Sequence, residues 1–231
     1  MQPIGSLERA VGVVLLVGAS GAFANDAPAG ASAAFSGVDI KLPAPRRSGA
    51  ISLEEAIARR RSTREFSSRM PADDQLGQLL WAAQGVTDTT HGLRAAPSAG
   101  ALYPLELYLA RADGVYHYEP GAHGLRRVDT HDERAAMGRA AFGQSAVLQA
   151  PILLAVVGIV SRTRAKYGGR AERYVTLEAG HAAQNILLEA TALGLAAVPV
   201  GAFDDDGLRS ALGLASDATP LYVLPVGFGV P

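Results

Sequence analysis

Ten consecutive residues, Pro151-Ile-Leu-Leu-Ala-Val-Val-Gly-Ile-Val160, offer nothing to water. A run so apolar and so rich in β-branched side chains suits a β-strand buried on both faces, so the fold must supply cover above and below it. Leu195 to Val200 and Leu221 to Val226 repeat the pattern and read as two more buried strands. A helix from Asp204 to Leu212 falls between them. Glu172 to Leu193, stopped at Gly194, is the longest helical pattern in the chain.

The earlier half carries start and stop signals of its own. Ser52-Leu-Glu-Glu55 places a hydroxyl at an N-cap and a carboxylate three residues on, a capping box, and Leu53, Ala56 and Ile57 then share one helical face. A second helix runs from about Ala72 to Gln84 on a stripe of Leu76, Leu79, Leu80 and Ala83, with Gly85 as its C-terminal stop. Leu105 to Ala110 and Val115 to Tyr118 are strands joined by Arg111-Ala-Asp-Gly114, a hairpin-type turn. Arg134 to Phe142 is a short helix, and Val38-Asp-Ile-Lys-Leu-Pro43 can pair as an edge strand. The sum is an α+β domain, with helices packed on a central, mostly antiparallel or mixed sheet.

Length and charge narrow the class. The 231 residues suffice for one sizeable core, and a net charge of −1 leaves no footprint for nucleic acid or an anionic membrane. The absence of cysteine removes disulfides, thiolate metal sites and cysteine nucleophiles together. Arg9 precedes an apolar run, Val11 to Ala24, that ends in Ala22-Phe23-Ala24, the small-x-small pattern accepted by signal peptidase. The expected organisation is an export signal over 1–24, an Ala/Gly/Pro/Ser-rich arm over 25–50 and one domain over 51–231, in a periplasmic location. An uncleaved hydrophobic anchor, or a start codon placed upstream of the true one, is the alternative.

Three segments can carry chemistry. Arg60-Arg-Ser-Thr-Arg64 sets three guanidiniums and two hydroxyls at the end of the first helix, which suits a phosphorylated cofactor, although arginine there also complements a helix dipole. Arg94-Ala-Ala-Pro-Ser-Ala-Gly-Ala-Leu-Tyr-Pro104 is a loop of small residues that lets backbone approach a flat ligand, or an ordinary connection into the next strand. Val198-Pro-Val-Gly-Ala-Phe203 ends a buried strand in a Gly turn whose N–H groups can face a ligand. Neither a Walker loop nor a Gly-x-Gly-x-x-Gly fingerprint is present.

Taken in order, Arg60-Arg-Ser-x-Arg64-x-Phe66, Ala96-Pro-Ser98, Gln184-Asn185 and Gly194-Leu-Ala-Ala-Val-Pro-Val-Gly201 resemble the FMN-dependent nitroreductase superfamily. Ala96-Pro-Ser-Ala-Gly-Ala-Leu-Tyr-Pro-Leu-Glu106 and Glu178-Ala-Gly-His-Ala-Ala-Gln-Asn185 are similar to its SagB/ThcOx-type dehydrogenase group. The resemblance runs from about Ile40 to Gly227 and implies a nitroreductase-like fold, a homodimer and FMN at the subunit interface. It implies that Arg60, Arg61, Ser62 and Arg64 hold the phosphate and ribityl chain. Pro97, Ser98 and Ala99 would then come from the other subunit to cover the flavin, with Gln184 near the ring or ribityl side. Val200, Gly201 and Ala202 would offer backbone groups to the reactive edge of the isoalloxazine. The tail, Pro225-Val-Gly-Phe-Gly-Val-Pro231, departs from the many members that carry a C-terminal Lys or Arg for the phosphate.

Lys166-Tyr167 matches a pair implicated in catalysis in azoline-oxidising members of that group. Dehydrogenation needs a base while flavin takes a hydride, and a lysine moved out of water beside a neutral ring gives up its proton more readily. A solvated loop bearing Arg162, Arg164, Lys166 and Arg170 is the other reading. His91, His117, His123, His131 and His181 show no ligand spacing with carboxylates, so no metal is expected. His181 lies one turn before Gln184 and can reach a flavin or fill a helix contact, and Trp81 reads as core. The implied activity is hydride transfer between flavin and a small organic or heterocyclic substrate. An NAD(P)H-dependent nitro or quinone reductase and a non-catalytic flavin-binding module are the alternatives.

Overall fold

The computed structural model describes residues 38–230, so the export segment over 1–24 and the first part of the arm lie outside the described residues. Along the chain run β1 (Ile40–Lys41), α1 (Leu53–Arg59), α2 (Asp73–Gln84), β2 (Val86–Asp88), β3 (Leu93–Arg94), β4 (Leu105–Arg111), β5 (Gly114–Glu119) and β6 (Gly124–Asp129). Then follow α3 (Arg134–Ala140), α4 (Ser145–Gln149), β7 (Ile152–Ile159), α5 (Val160–Tyr167), α6 (Ala171–Ala192), β8 (Ala196–Ala197), α7 (Asp205–Ala211) and β9 (Ala218–Gly227).

The seven-stranded sheet has the order β1-β6-β5-β4-β7-β9-β8, and every neighbouring pair is antiparallel. β2 and β3 form a separate two-stranded ribbon. The apolar run is β7, third from one edge, and it is covered on both faces as its composition demands. Its alternate residues divide two cores. Ile152, Leu154 and Val156 pack with Leu76, Leu79 and Leu80 of α2 and Val175, Ala179 and Ile186 of α6. Leu153, Ala155 and Val157 pack with Met137 of α3, Val147 of α4 and Leu208 of α7. Each buried Leu, Ile or Val contributes about 1.5–3 kcal/mol of transfer free energy, so this one strand ties two helical layers to the sheet.

Glycine ends the long helix as expected. Gly194 has φ +69, its N–H reaches Thr191 O at 3.2 Å, and Leu195 N–H reaches Ala190 O at 2.8 Å, the paired bonds of a Schellman motif. Gly85 stops α2 for another reason. Its backbone is extended (φ −63), and a Cβ there would stand 2.2 Å from Trp81 Cδ1, so the position requires close approach and no left-handed turn.

Four readings change. Leu53 and Ile57 of α1 are 61% and 55% exposed, and only Ala56 of that face is buried. The capping box is half made: Ser52 Oγ accepts from Glu55 N–H at 3.1 Å, while the Glu55 carboxylate pairs with Arg59. The strand expected over Leu195 to Val200 holds the ladder only at Ala196–Ala197, and a single bridge from Val200 to Val223 resumes it beyond Pro199, which lacks an N–H. Lys166 and Tyr167 close the helix α5, where a solvated loop was the other reading. β6 and α4 were not anticipated, because strand β6 is Gly-Leu-Arg-Arg-Val-Asp and α4 is a single short turn.

Candidate functional site

The first and last of the four motifs lie side by side. α1 ends at Arg60, whose backbone turns extended (φ −51, ψ 122), and the chain then runs along the sheet edge. Ser62 bridges Ala197 in parallel, and Thr63 N–H reaches Ala197 O at 3.1 Å. Phe66, buried in the second core, pairs with Gly229, and Ser67 N–H reaches Phe228 O at 2.8 Å. The cationless tail is therefore pinned beside the arginine segment, with the Arg69 guanidinium 3.9 Å from the Phe228 ring centre.

The arginine cluster divides by role. Arg61 Nη1 donates to Ala58 O at 2.9 Å and Arg60 O at 2.7 Å, so it closes the C-terminal end of α1 as the dipole reading holds. Arg60 and Arg64 make no side-chain hydrogen bond or ion pair among the described residues, and Arg64 and Ser62 are exposed. Facing the same edge, Gly201 and Ala202 are exposed, and their N–H groups have no partner among the described residues. Val200 corrects the expectation for that turn. It is buried, its N–H is spent on Val223 O at 2.8 Å and its carbonyl accepts from Val223 N–H at 2.9 Å, so it has no N–H left to offer.

The second motif builds a different corner. Ser98 Oγ accepts from Tyr103 N–H at 2.8 Å, Ser98 O accepts from Ala101 N–H at 3.0 Å, and Tyr103 OH accepts from Arg94 N–H at 3.1 Å. These bonds hold Gly100, Ala101 and Tyr103 at φ +64, +54 and +47. Two non-glycine residues in that region cost about 1–3 kcal/mol each, a strain that recurs where a loop must present itself to a ligand. Glu178, 4% exposed on α6, accepts from Ala99 N–H at 2.9 Å and pins the loop to the long helix. Pro97, Ser98 and Ala99 share a cavity of about 270 Å³ with Tyr174, Leu177 and His181 of α6.

Lys166 and Tyr167 meet the same loop. A Cβ placed on Gly100 would stand 2.9 Å from both Lys166 Nζ and Tyr167 Oη. Tyr167 packs edge-on against Tyr174 at 5.0 Å between ring centres, and Lys166 Nζ lies 5.7 Å from the Tyr167 ring centre. The Lys166 side chain is exposed in the single chain. Gln184 is exposed on α6, one turn beyond His181, and Asn185 donates to Ala82 O at 2.9 Å, a helix-to-helix contact.

Other candidates fall elsewhere. A larger cavity of about 610 Å³ lies between the 46–53 segment, α2 and α6, and half-buried Trp81 lines it, so Trp81 is not wholly core. Burial there pushes the Glu189 carboxyl above the usual carboxylate range. The histidine spacing also needs correction: Asp129, His131 and Glu133 bring potential ligand atoms within 4.8 Å of one another. Asp129 and Glu133 are half-buried and His131 is exposed, and His131 is already bonded to Asp129 at 2.8 Å.

Two clusters thus sit on one chain. One has two guanidiniums and two N–H groups without a partner among the described residues, which fit a phosphate and a polar ring edge. The other has a strained small-residue loop beside Tyr167, Tyr174, Leu177 and Lys166, which fits a flat ring. Among the described residues no hydrogen bond, ion pair or ring contact joins the two. These residues fit a phosphorylated flavin.

The profile of the nitroreductase family matches residues 57–228. The chain belongs to that family. It is 42% identical over 196 residues to a nitroreductase-family protein of Methanocaldococcus jannaschii, covering 82% of this chain and 96% of the relative. A nitroreductase-family structure from Ralstonia eutropha superposes with TM-score 0.76 at 30% identity, over 83% of this chain and 90% of the other. A chain of the Escherichia coli microcin synthetase McbBCD complex, solved with truncated pro-MccB17, superposes with TM-score 0.67 at 25% identity, over 82% and 77%. Family membership makes this protein an oxidoreductase of the flavin type with a nitroreductase fold.

The sequence reading missed Glu106, His117, Tyr103 and Arg162, which brace the loop and α5. Glu106 and Tyr103 stood within the loop motif, but their partners are distant in sequence. His117 Nε2 lies 2.7 Å from Glu106 Oε2, and Arg162 Nη1 lies 2.5 Å from Glu106 Oε1 and 3.3 Å from Tyr103 O.

Proposed function

We propose that the protein is an FMN-dependent dehydrogenase of the SagB/ThcOx type, acting on a small organic or heterocyclic substrate as a homodimer. The observation that carries this reading is the convergence of Lys166 Nζ and Tyr167 Oη on Gly100 of the Pro97–Gly100 loop. In each of two equivalent sites, Arg60, Arg64 and Ser62 of one subunit hold the phosphate and Gly201 and Ala202 present N–H groups to the ring. Pro97, Ser98 and Ala99 of the other subunit cover the ring, with Gln184 beside it. FMN bound there would supply two-electron chemistry, serving as hydride acceptor for a substrate C–H bond. Lys166 Nζ takes the proton released with that hydride, and Tyr167 holds the lysine against the loop. In the homodimer of this proposal Lys166, exposed on the single chain, would be covered by the other subunit and withdrawn from water. The likeness to the microcin synthetase complex supports the dehydrogenase direction.

The test is the visible spectrum of the purified protein, identification of the released chromophore, and turnover of a 2-substituted thiazoline with dioxygen as acceptor. One FMN per subunit, turnover, and loss of turnover with retained FMN in Lys166→Ala are expected. Turnover unchanged in Lys166→Ala would end the assignment of the base. The nitroreductase-family relative favours a second reading, NAD(P)H-dependent reduction of a nitro compound or quinone, which NADPH oxidation in the presence of nitrofurazone or menadione would reveal. Export with cleavage after Ala24 belongs to the same proposal, and N-terminal sequencing of the protein from the periplasmic fraction tests it.

A further inference from the structure

α5 is poorly suited to hold its own place. Its sequence is Val-Ser-Arg-Thr-Arg-Ala-Lys-Tyr, and only Thr163 is buried, with a hydroxyl that finds no hydrogen-bond partner among the described residues. Val160 packs on the main core at the first turn, but the last turn, which carries Lys166 and Tyr167, is anchored by Tyr167 on Tyr174 alone among ring contacts. α5 packs its backbone on α6 but brings few apolar side chains, so polar clamps add to what sets the position of its last turn.

Among the described residues three clamps reach it. Arg164 pairs with Glu172, but both side chains are more than half exposed, and such pairs contribute little. Ser161 Oγ reaches Asp217 at 3.3 Å, also at the surface. The third is of another kind. Arg162 Nη1 lies 2.5 Å from Glu106 Oε1, and although the Arg162 side chain is 43% exposed, the Glu106 side chain is only 15% exposed. The same guanidinium nitrogen donates to Tyr103 O at 3.3 Å, at the end of the strained loop. On its far side Glu106 is held by His117 Nε2 at 2.7 Å, and His117 is itself held by Glu119 at 2.9 Å. One arginine therefore joins the strand β4, the Ser98–Tyr103 loop and α5, and Lys166 follows Arg162 by one helical turn.

We propose that Glu106 and Arg162 are positioning residues that fix Lys166 and Tyr167 over the Pro97–Gly100 loop. The carboxylate is set by the sheet, the guanidinium transmits that setting to α5, and the bond to Tyr103 O keeps loop and helix in one frame. The catalytic part of this inference rests on Lys166 being the base; the mechanical part does not.

The experiment uses the full-length, FMN-loaded protein with Arg162→Gln, Glu106→Gln, Arg162→Lys and Lys166→Ala. Amide hydrogen exchange is followed across residues 160–167, and turnover of a 2-substituted thiazoline by dioxygen is measured beside it. In Arg162→Gln and Glu106→Gln, exchange in α5 should rise at least about ten-fold while α6 stays protected, and kcat should fall about ten- to a hundred-fold with KM and FMN content unchanged, the scale expected of a displacement near 1 Å. Arg162→Lys keeps a charge on Glu106 and should restore most of both. Unchanged α5 exchange overturns the clamp, as does exchange that rises equally across α6, whereas faster exchange confined to α5 with wild-type kcat overturns the positioning role of the two residues. Wild-type turnover in Lys166→Ala would instead sink the assignment of the base, and the exchange measurement would still decide the clamp.

Discussion

Replacing Gly100 by alanine adds one methyl group where the loop meets Lys166 and Tyr167. The Cβ would stand 2.9 Å from Lys166 Nζ and from Tyr167 Oη, and 3.3 Å from Lys166 Cδ. Ordinary contact begins near 3.4 Å, so both tips must retreat by about half an ångström or more. They are the free ends of side chains, which keeps the folding cost low. The larger stability term is the backbone: φ +64 costs an alanine about 1–2 kcal/mol. For a domain of this size that corresponds to a fall in Tm of roughly 2–8 °C, at about 2–4 °C per kcal/mol. Function should suffer far more, because a misplacement near 1 Å can cost on the order of a hundred-fold in rate. Thermal melting, FMN content and steady-state turnover of the thiazoline probe together read the result. A small Tm loss, full FMN content and kcat down by roughly a hundred-fold are expected. Wild-type kcat alongside the same Tm loss would refute the reasoning, since the two tips would then have moved without consequence.

Three further predictions follow from other parts of the structure. The double variant Arg60→Ala with Arg64→Ala removes two guanidiniums that have no partner among the described residues and should weaken FMN binding at least about ten-fold by fluorescence titration, whereas Arg61→Ala should instead lower Tm, because that side chain closes α1. Glu178→Leu leaves Ala99 N–H without its acceptor and should destabilise by about 1–3 kcal/mol in urea unfolding, while Glu178→Gln, which keeps an acceptor oxygen, should cost less; equal losses would mean the bond contributes nothing. His117 and Glu106 make stability depend on pH from both sides. Burial opposes the charged imidazole, yet Glu106 and Glu119 outweigh it and raise its proton affinity, so its contribution is complete below the ordinary value of 6.5 and fades as pH rises. Burial likewise opposes the Glu106 carboxylate, yet His117 and Arg162 hold it below its ordinary 4.5, so its contribution is complete above that value and fades as pH falls. The Tm gap between wild type and His117→Gln should therefore narrow between pH 6 and 9, and a constant gap would show that the pair is not linked to folding.

Much of the scaffold was legible in the chain. The run Pro151–Val160 suits a strand covered on both faces, and Ile152–Ile159 of it is β7, with its odd and even residues feeding separate cores. Gly194 announced the end of α6, and the Arg111–Gly114 turn placed β4 beside β5. The four motifs gave the family, because their order and spacing survive in one dimension. These are local properties: apolar periodicity, caps and turns each reflect what a residue and its near neighbours do with water and with their own backbone.

Tertiary structure decided how the motif residues divide. Only the sheet edge shows that Val200 spends its N–H on Val223 while Gly201 and Ala202 keep theirs, and only the end of α1 shows that Arg61 turns back to Ala58 and Arg60 while Arg64 stays free. The exposed Leu53 and Ile57 carry the same helical period as a buried face, since period reports amphipathicity and not what covers it. The convergence of Lys166 with Gly100, and of Arg162 with Glu106 and His117, depends on which strands are neighbours and in what register. Residue type states what a side chain can bond to; its partner is chosen by the path the backbone takes between them, and no local pattern encodes that path.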